Sequence, residues 1–522
     1  GAEWLLGGNA GLRRHAKMVD RELVKAAFYH GLLPREDMRE MLKDNGDWLV
    51  RMTEPSQPGR REYVVSMQTD SANNEIRHYV ISQGGGRCAL RGELTFGSIS
   101  ELFDFYYTKG HPIQKDHVLR NPIVRQKWEL KHNALELKKK LGEGAYGEVM
   151  SGVLRREGDE GNEGVPVAVK QAKLDKMTKE QIKEVMSEAR LMRQFDHLNV
   201  VTIYGIAAIE EPVMIVMELA SHGALNSYLA KNQVSQEVCI QMTMQAAWGI
   251  RYLHTMNCIH RDIAARNCLY GDGQVKISDF GMSRIGESYQ MNPNSKAPIR
   301  WLAPETLFTA KFSHKTDVWS FGILTWEIFN GAKQPYKGMS TTDVMNFVKS
   351  GKRLSLLDSC QNQDFAKTIE DRALQFSVDA RWPMSLLVPQ LEQLTGLHFS
   401  GPLSTLTKPL AAPSPLPDTD PLPCEATPTR EQAPPTHAQA PPLPPDNLRS
   451  RSRMARRPRQ NSSAVAPPTF AGIIPCWEGP IMSPFSFGSS ITPFSSTVST
   501  PAKPQSKANR NTTFVNRPGF PR

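Results

Sequence analysis

The sequence predicts an α+β protein with two folded domains in series and a disordered C-terminal tail. Between about residues 34 and 107, short stretches of alternating apolar and polar residues lie between two segments with helical spacing. From Leu135 the pattern changes to strand, glycine-rich loop, strand and helix. After residue 400 it changes again, because 25 of the 38 prolines fall within the last 122 residues. A chain of 522 residues is long enough for this arrangement.

The charge of the chain is uneven. Residues 401–522 carry 13 Lys and Arg against 6 Asp and Glu, so most of the formal net charge of +10 lies there and we expect no specific nucleic-acid binding.

The seven cysteines include no Cys-x-x-Cys pair, and neither a secretory signal nor an apolar run of the roughly 20 residues needed to span a bilayer is present. These features predict a cytoplasmic protein, with a peripheral position at the plasma membrane as an alternative. Because the chain begins with Gly1 rather than Met, we expect a fragment or a processed chain.

Residues 1–27 form a lead-in to which we assign no function, and the first domain is expected over residues 28–123. Its predicted elements are a helix at 34–42, strands at 48–51, 62–67 and 76–81, and a helix at 100–107. We therefore expect a three-stranded antiparallel sheet between two helices.

Arg51 is the most informative residue of this domain, because a guanidinium on a buried strand is costly unless it is paired. It ends the segment Trp48-Leu49-Val50-Arg51. Together with Phe28-Tyr29-His30-Gly31 at the start of the domain, this segment resembles the SH2 (Src homology 2) domain. The resemblance implies a bidentate contact between Arg51 and the phosphate of phosphotyrosine.

Three further residues match positions of the SH2 phosphotyrosine pocket. They are Arg35, Thr53 and His78. Thr53 replaces the more usual Ser, and Met52 stands where many relatives have Glu. The implied partners are tyrosine-phosphorylated proteins.

The most informative stretch of the chain runs from His260-Arg261-Asp262 to Asn267 and is followed, after a short strand, by Asp279-Phe280-Gly281. It resembles the catalytic and metal-binding loops of protein kinases. The resemblance implies that Asp262 is the catalytic base, that Arg266 supports it, and that Asn267 and Asp279 hold Mg²⁺, with Mn²⁺ as an alternative.

An ATP site is implied by a glycine-rich loop, whose backbone N–H groups close over phosphates, and by the segments that follow it. Lys170 ends the strand segment Val167-Ala168-Val169-Lys170, and Glu188 lies in a helical segment whose counterpart in the family pairs with that lysine. Met217 matches the position behind the adenine. The residues expected at ATP are Leu141, Gly142, Glu143, Gly144, Ala145, Tyr146, Gly147, Glu148, Val149, Ala168, Lys170, Met217, Glu218, Leu219 and Leu269.

The acceptor is predicted to be tyrosine in protein substrates. Ala264-Ala265-Arg266 stands where Ser/Thr kinases usually carry a Lys, and Pro298-Ile299-Arg300-Trp301 is typical of tyrosine kinases. The chain thus resembles cytoplasmic tyrosine kinases with an SH2 domain, most closely the Fes/Fer group. That implies a bilobal kinase fold with a β-rich small lobe, and autophosphorylation at Tyr289, with Arg261 and Arg284 receiving the phosphate. A Ser/Thr kinase is the less favoured alternative.

The kinase domain, expected over 135–395 after a linker at 124–134, departs from the family pattern after about residue 350. A Cys-Trp pair is missing, and Trp382 separates Arg381 from the following proline. If Glu305 were left buried without Arg381, the large lobe would be marginally stable. This departure favours a second function, a catalytically inactive phosphotyrosine-binding adaptor, whereas the retained catalytic residues favour an active enzyme.

Residues 396–522 are predicted to be disordered, because a segment rich in Pro, Ser and Arg buries too little apolar surface to offset its ordering entropy. The proline-rich residues 440–445 suit an SH3 or WW domain as a partner, with a plain linker as the alternative.

Overall fold

The computed structural model describes residues 21–54, 60–92, 94–143, 147–156, 164–171, 177–292 and 297–401. The predicted SH3- or WW-binding segment, most of the lead-in and Gly144, Ala145 and Tyr146 of the glycine-rich loop lie outside the described residues. Among the helices of these ranges, none is both long and apolar enough to cross a bilayer.

The first domain is a mainly antiparallel sheet with helices on its two sides. Its elements are α1 (Arg21–Lys25), α2 (Arg35–Met41), β1 (Asp47–Thr53), β2 (Glu62–Asp70), β3 (Glu75–Gly84), β4 (Arg87–Ala89), α3 (Ile99–Phe103) with a π-helical turn (Asp104–Thr108), and β5 (Asn121–Pro122). The strand order is β4-β3-β2-β1-β5, with β5 parallel to β1. The predicted three-stranded sheet was therefore wrong in strand number. The two additional strands are too short to show an alternating pattern, and β5 pairs with a strand far away in sequence.

Aromatic packing forms the core of this domain. Trp48 of β1 is fully buried and stacks on Phe103 of α3, with 5.4 Å between ring centroids. Phe28 packs against both rings, at 4.7 Å and 5.0 Å. Large rings bury much apolar area, so this cluster fixes α3 on the sheet and thereby positions β1, which carries Arg51.

The N-terminal lobe of the second domain is a five-stranded antiparallel sheet with one long helix. Its elements are β6 (Leu135–Glu143), β7 (Glu148–Leu154), β8 (Val165–Gln171), α4 (Lys179–Met192), β9 (Ile203–Ala207) and β10 (Met214–Glu218), with strand order β6-β7-β8-β10-β9. Helix α4 begins at a capping box, in which Thr178 and Gln181 satisfy each other's backbone N–H groups. Its buried residues Ile182, Met186 and Ala189 recur at helical spacing.

The C-terminal lobe of the second domain is mainly helical. Its helices are α5 (Leu225–Lys231), α6 (Gln236–Thr255), α7 (Pro304–Thr309), α8 (His314–Phe329), α9 (Thr341–Lys349), α10 (Gln363–Thr368) and α11 (Met384–Thr395), and its strands are β11 (Cys258–Ile259), β12 (Cys268–Gly271), β13 (Gln274–Ile277), β14 (Arg284–Ile285), β15 (Ser288–Gln290) and β16 (Lys311–Ser313). Helices α6 and α8 are largely buried and form the centre of the lobe. Two-stranded ladders β12–β13 and β11–β14 on this centre carry the loops described below.

The diverged region after residue 350 still closes the lobe. The side chain of Arg381 is completely buried and forms a bidentate ion pair with Glu305, at 2.6 and 3.0 Å. Its guanidinium also donates to the carbonyls of Gln375 and Lys315. Glu305 therefore has a partner. The instability expected for a lobe with an unpaired Glu305 has no basis in this structure. Trp382 turns aside to stack on Arg372, with 4.5 Å from the guanidinium carbon to the ring centroid.

Candidate active site and phosphotyrosine pocket

An open cavity lies between the two lobes of the second domain, with about 640 Å³ of empty space when the solvent at its mouth is included. Its roof comes from β6, β7 and β8, its back from α4 and β10, and its floor from the loops around β12 and β13. The lining residues are Leu141, Val149, Ala168, Lys170, Glu188, Met192, Met217, Glu218, Leu219, Ala220, Gly223, Arg266, Asn267, Leu269, Ser278 and Asp279. Apolar residues line most of the wall, and three of the charged lining residues, Lys170, Glu188 and Asp279, contact one another.

The charged side of the cavity is organised by Lys170. Its ammonium lies 2.7 Å from a carboxylate oxygen of Glu188 and 3.5 Å from one of Asp279. Burial lowers the pKa of Lys170, but the two carboxylates outweigh burial and hold that pKa above its ordinary value. The lysine therefore stays charged, with α4 drawn in toward β8.

Asp262 lies in the loop between β11 and β12 and is held from two sides. One carboxylate oxygen pairs with the guanidinium of Arg266, and the other accepts from the side-chain amide of Asn267 at 2.7 Å. The same amide donates to the backbone carbonyl of Asp262 at 2.8 Å. These contacts fix the orientation of the carboxylate in a buried loop.

Two buried acids below this loop fix its backbone. Asp317 of α8 accepts from the N–H groups of His260 and Arg261 at 2.7 and 2.9 Å. Glu327, ten residues further along the same helix, accepts from the N–H of Ala265 and from the indole N–H of Trp301, each at 2.9 Å. Glu327 was not predicted from the sequence. The signal available for Glu327 was an acid on an otherwise apolar helix.

The cavity offers oxygen atoms that suit a hard divalent cation. The side-chain carbonyl oxygen of Asn267 is buried and has no hydrogen-bond partner among the described residues. The carboxylate of Asp279 lines the same cavity. Amide and carboxylate oxygens are the ligands that Mg²⁺ takes in proteins, so the residues present fit the ion.

Tyr289 lies on β15, opposite Phe312 of β16. The guanidinium carbon of Arg261 is 4.2 Å from the tyrosine ring centroid, and that of Arg284 is 5.4 Å from it. Burial and the neighbouring Arg284 lower the pKa of Arg261 to about 10. The two cations predicted to receive a phosphate thus already flank the ring.

In the first domain, Arg51 is 2% exposed and forms no ion pair with a described carboxylate. Its Nε donates to the hydroxyl of Ser66 at 3.2 Å, and Nη1 lies 3.4 Å from the carbonyl of Leu33. Burial, followed by the charge of Arg35, lowers the pKa of Arg51 to about 10. A buried cation whose hydrogen-bond partners in the described part of the chain are neutral favours an anionic ligand.

The other predicted pocket residues contribute unequally. The imidazole of His78 lies 3.0 Å from the Ser66 hydroxyl. Burial and the charges of Arg51 and Arg35 lower the pKa of His78 to about 3, so the ring is neutral at pH 7. Thr53 is half-buried at the end of β1, where it pairs with Glu62 across the ladder. The structure thus places Arg35 and His78 near Arg51.

Helix α2 connects this pocket to α4. Two residues beyond Arg35, the buried carboxylate of Asp37 accepts from Arg190 at 2.6 Å and from Arg193 at 3.0 Å. Glu36 pairs with Lys183 at 2.8 Å. The first domain therefore forms ion pairs with α4, which is the helix that carries Glu188.

Backbone contacts strengthen the same interface. The N–H of Leu32 donates to the carbonyl of Ala208, which follows β9, at 2.8 Å. Gly31 has φ of +60°, and a Cβ there would collide with that carbonyl, so the position requires glycine. In the linker, the centroid of the Trp128 ring lies 3.8 Å from the guanidinium carbon of Arg193 on the N-terminal lobe.

The expected ATP residues fall into three groups. Most of them line the cavity, while Gly142, Glu143, Gly147 and Glu148 are described but are not among its lining residues, and Gly144–Tyr146 lie outside the described residues. Met192, Ala220, Gly223 and Ser278 line the cavity and were missed. Met192 follows Glu188 by four residues, so helical periodicity would have found it.

Comparison with known families gives two matches. A family model described as "Protein tyrosine and serine/threonine kinase" matches residues 135–391, and a model described as "SH2 domain" matches residues 28–106.

Three curated proteins illustrate the relatives. "Fer-related kinase 1" of Caenorhabditis elegans is 40% identical over 327 residues, which cover 62% of this chain and 82% of the relative. "Tyrosine-protein kinase Fer" of Homo sapiens is 38% identical over 368 residues, covering 69% of this chain and 43% of the relative. "Tyrosine-protein kinase transforming protein Fps" of Avian sarcoma virus (strain PRCII) is 36% identical over 350 residues, covering 66% of this chain and 63% of the relative. The chain thus spans less than half the length of human Fer.

Proposed function

Because this chain belongs to the SH2-containing protein tyrosine kinases of the Fer type, we propose that it transfers the γ-phosphoryl group of ATP to tyrosine hydroxyls of proteins. The observation that carries the proposal is the ammonium of Lys170 bound between Glu188 and Asp279. This is the arrangement that phosphoryl transfer by kinases requires. The division into an SH2 domain at 28–123, a linker at 124–134 and a kinase domain at 135–395 is part of the proposal. The test is phosphate incorporation into tyrosine of a synthetic substrate.

In the proposed reaction each polar residue has a distinct task. Lys170 binds the α- and β-phosphates, and Glu188 holds its ammonium in place. Asp262 orients the acceptor hydroxyl and takes its proton, and Arg266 and Asn267 fix its carboxylate. Leu141, Val149, Ala168 and Leu269 enclose the adenine, with Met217 behind it. Because the transition state is loose, we expect positioning to contribute more than proton abstraction.

Asn267 and Asp279 would hold Mg²⁺. When bound, the ion neutralises charge that develops on the phosphates. The unpaired carbonyl oxygen of Asn267 supports this assignment, because its amide nitrogen is turned toward Asp262.

The SH2 domain is proposed to recruit the kinase to tyrosine-phosphorylated proteins through Arg51. We expect Arg51→Ala to weaken binding of a phosphotyrosine peptide at least about 100-fold, because two charge-assisted hydrogen bonds are lost. Isothermal titration of the full chain with the phosphorylated peptide measures this effect.

The matched control for that titration is Arg87→Ala, because Arg87 is an exposed residue of β4 whose guanidinium donates to the hydroxyl and the carbonyl of Thr95. Its affinity should equal that of the unchanged chain. Equal affinities of Arg51→Ala and Arg87→Ala would exclude the phosphotyrosine pocket.

Tyr289 is proposed to be the autophosphorylation site. Tyr289→Phe should keep the ring between Arg261 and Arg284 but abolish the roughly tenfold rise in activity that we expect on preincubation with ATP, since the phosphate would gain charge-assisted bonds to those arginines. Initial rates with and without preincubation measure the rise. Tyr107→Phe, on the exposed surface of the SH2 domain, is the control. A rise in the Tyr289→Phe variant equal to that of the control would refute this role.

A cytoplasmic location is the last part of the proposal. Among the described residues, Cys239, Cys258, Cys268 and Cys360 are buried free thiols, as is usual in a reducing compartment. The inactive adaptor is the less favoured alternative. Its main support was the expectation that Glu305 lacks a partner, and Arg381 supplies that partner.

A further inference from the structure

The chain folds back onto the kinase domain after α11. The helix ends at Gly396, which has a left-handed backbone (φ 70°) and whose N–H bonds to the carbonyl of Glu392. Phe399 then stacks on the imidazole of His197 in the loop after α4, with 4.6 Å between centroids and 12° between planes. Trp248 of α6 meets the Phe399 ring edge-on at 5.7 Å. A Cβ on Gly401 would collide with the same ring, so the backbone closes over it.

From Phe399 a series of ring contacts runs to the active site. His197 stacks on Tyr252 at 4.8 Å, and Tyr252 meets Phe195 edge-on at 6.3 Å. Phe195 packs on Phe280 at 5.2 Å. Phe280 follows Asp279 directly, so the series ends beside the carboxylate that faces Lys170. We call these five rings the aromatic series.

The inner rings are held by polar contacts. The Nδ1 of His197 accepts from the N–H of Asn199 at 3.0 Å, and the Tyr252 hydroxyl accepts from the N–H of Asp196 at 2.9 Å. Burial, followed by the positive charge of Arg251, lowers the pKa of His197 to about 4, so its ring is neutral. Tyr252 stacks on one face of this neutral imidazole, and Phe399 covers the other face.

The other wall of the Phe399 site is fixed by α11. The indole N–H of Trp248 donates to the carboxylate of Glu392 at 2.8 Å. Helix α11, which precedes Phe399, is thus hydrogen-bonded to Trp248, the residue that packs on Phe399. The match to the kinase family ends at residue 391, before this segment begins.

We propose that Phe399 is a positioning residue for phosphoryl transfer: by completing the aromatic series it keeps Phe280, and with it Asp279, in the place where Asp279 faces Lys170. The role rests on the proposed kinase function. If Phe399 has this role, removal of its ring lowers the rate of phosphoryl transfer and increases the mobility of α4, in addition to any loss of stability of the lobe.

The test compares Phe399→Ala and Phe399→Tyr with Phe376→Ala in the full chain. Phe376 is a surface ring of the same lobe, 41% exposed. We expect Phe399→Ala to lower kcat/KM for ATP about fivefold, and Phe399→Tyr and Phe376→Ala to stay within about twofold of the unchanged chain. Amide hydrogen exchange over residues 179–200 should be faster in Phe399→Ala alone.

Two results would overturn the role of Phe399. One is a lower unfolding temperature of Phe399→Ala with kcat/KM and hydrogen exchange like those of Phe376→Ala, which would make the ring a stabilising contact only. The other is failure of Phe399→Tyr to restore either quantity. If the unchanged chain transferred no phosphate, the proposed function would fail, and the exchange comparison alone would then decide whether Phe399 holds α4.

Discussion

Asp262→Asn should lower kcat about a thousandfold while leaving ATP binding close to that of the unchanged chain. The loss is expected because an amide cannot take the proton of the acceptor hydroxyl, a contribution typically of that size. ATP affinity should persist because Asp262 is not among the residues that line the cavity. Steady-state kinetics with a Glu/Tyr copolymer, beside calorimetric titration with Mg-ATP, measure both quantities.

The control for this variant is Asp358→Asn, on the exposed surface of the same lobe. It removes the same charge from the lobe and should leave kcat unchanged. If Asp262→Asn kept more than about a tenth of the activity of the control, Asp262 would not be the catalytic base.

Arg381→Ala should destabilise the kinase domain by about 3–5 kcal/mol, because it leaves the carboxylate of Glu305 largely buried without its partner. The total stability of a domain is about 5–15 kcal/mol, so much of it would be lost. Urea unfolding followed by tryptophan fluorescence measures the effect, since Trp319 lies 5.2 Å from the guanidinium carbon.

Arg372→Ala is the matched change for that experiment. Arg372 lies in the same diverged segment, is exposed and stacks on Trp382. An exposed contact of this kind is worth about 0.5–1 kcal/mol. If the urea midpoint of Arg381→Ala were no lower than that of Arg372→Ala, the ion pair between Arg381 and Glu305 would not stabilise the lobe.

The catalytic groups were predictable because short motifs encode them locally. Asp262 and Asn267 are five residues apart in one loop, so their contact follows from the loop itself. Lys170 and Glu188 are further apart, but the strand and the helix that carry them have clear periodicity. The structure brings these residues together, and their roles in the reaction remain predictions.

Contacts between segments distant in sequence were not predictable in this way. The pair of Asp37 with Arg190 joins two domains across 153 residues, and an acid on a short helix gives no sign of such a partner. Arg381 reaches Glu305 despite the inserted Trp382, because the backbone turns the tryptophan ring outward onto Arg372. Phe399 lies in a segment predicted to be disordered from its composition, yet one aromatic ring suffices to anchor its first residues.

The central claim, transfer of phosphate to protein tyrosine, is tested most directly by incubating the full chain with radiolabelled Mg-ATP and a mixture of Glu/Tyr copolymer and a Ser/Thr-rich protein, followed by phosphoamino-acid analysis. We expect label in phosphotyrosine only, and none with Lys170→Met, which removes the ammonium paired with Glu188 and Asp279. Label in phosphoserine or phosphothreonine would contradict the tyrosine assignment. A folded chain that bound phosphotyrosine peptide through Arg51 but transferred no phosphate would contradict the kinase itself and establish the adaptor.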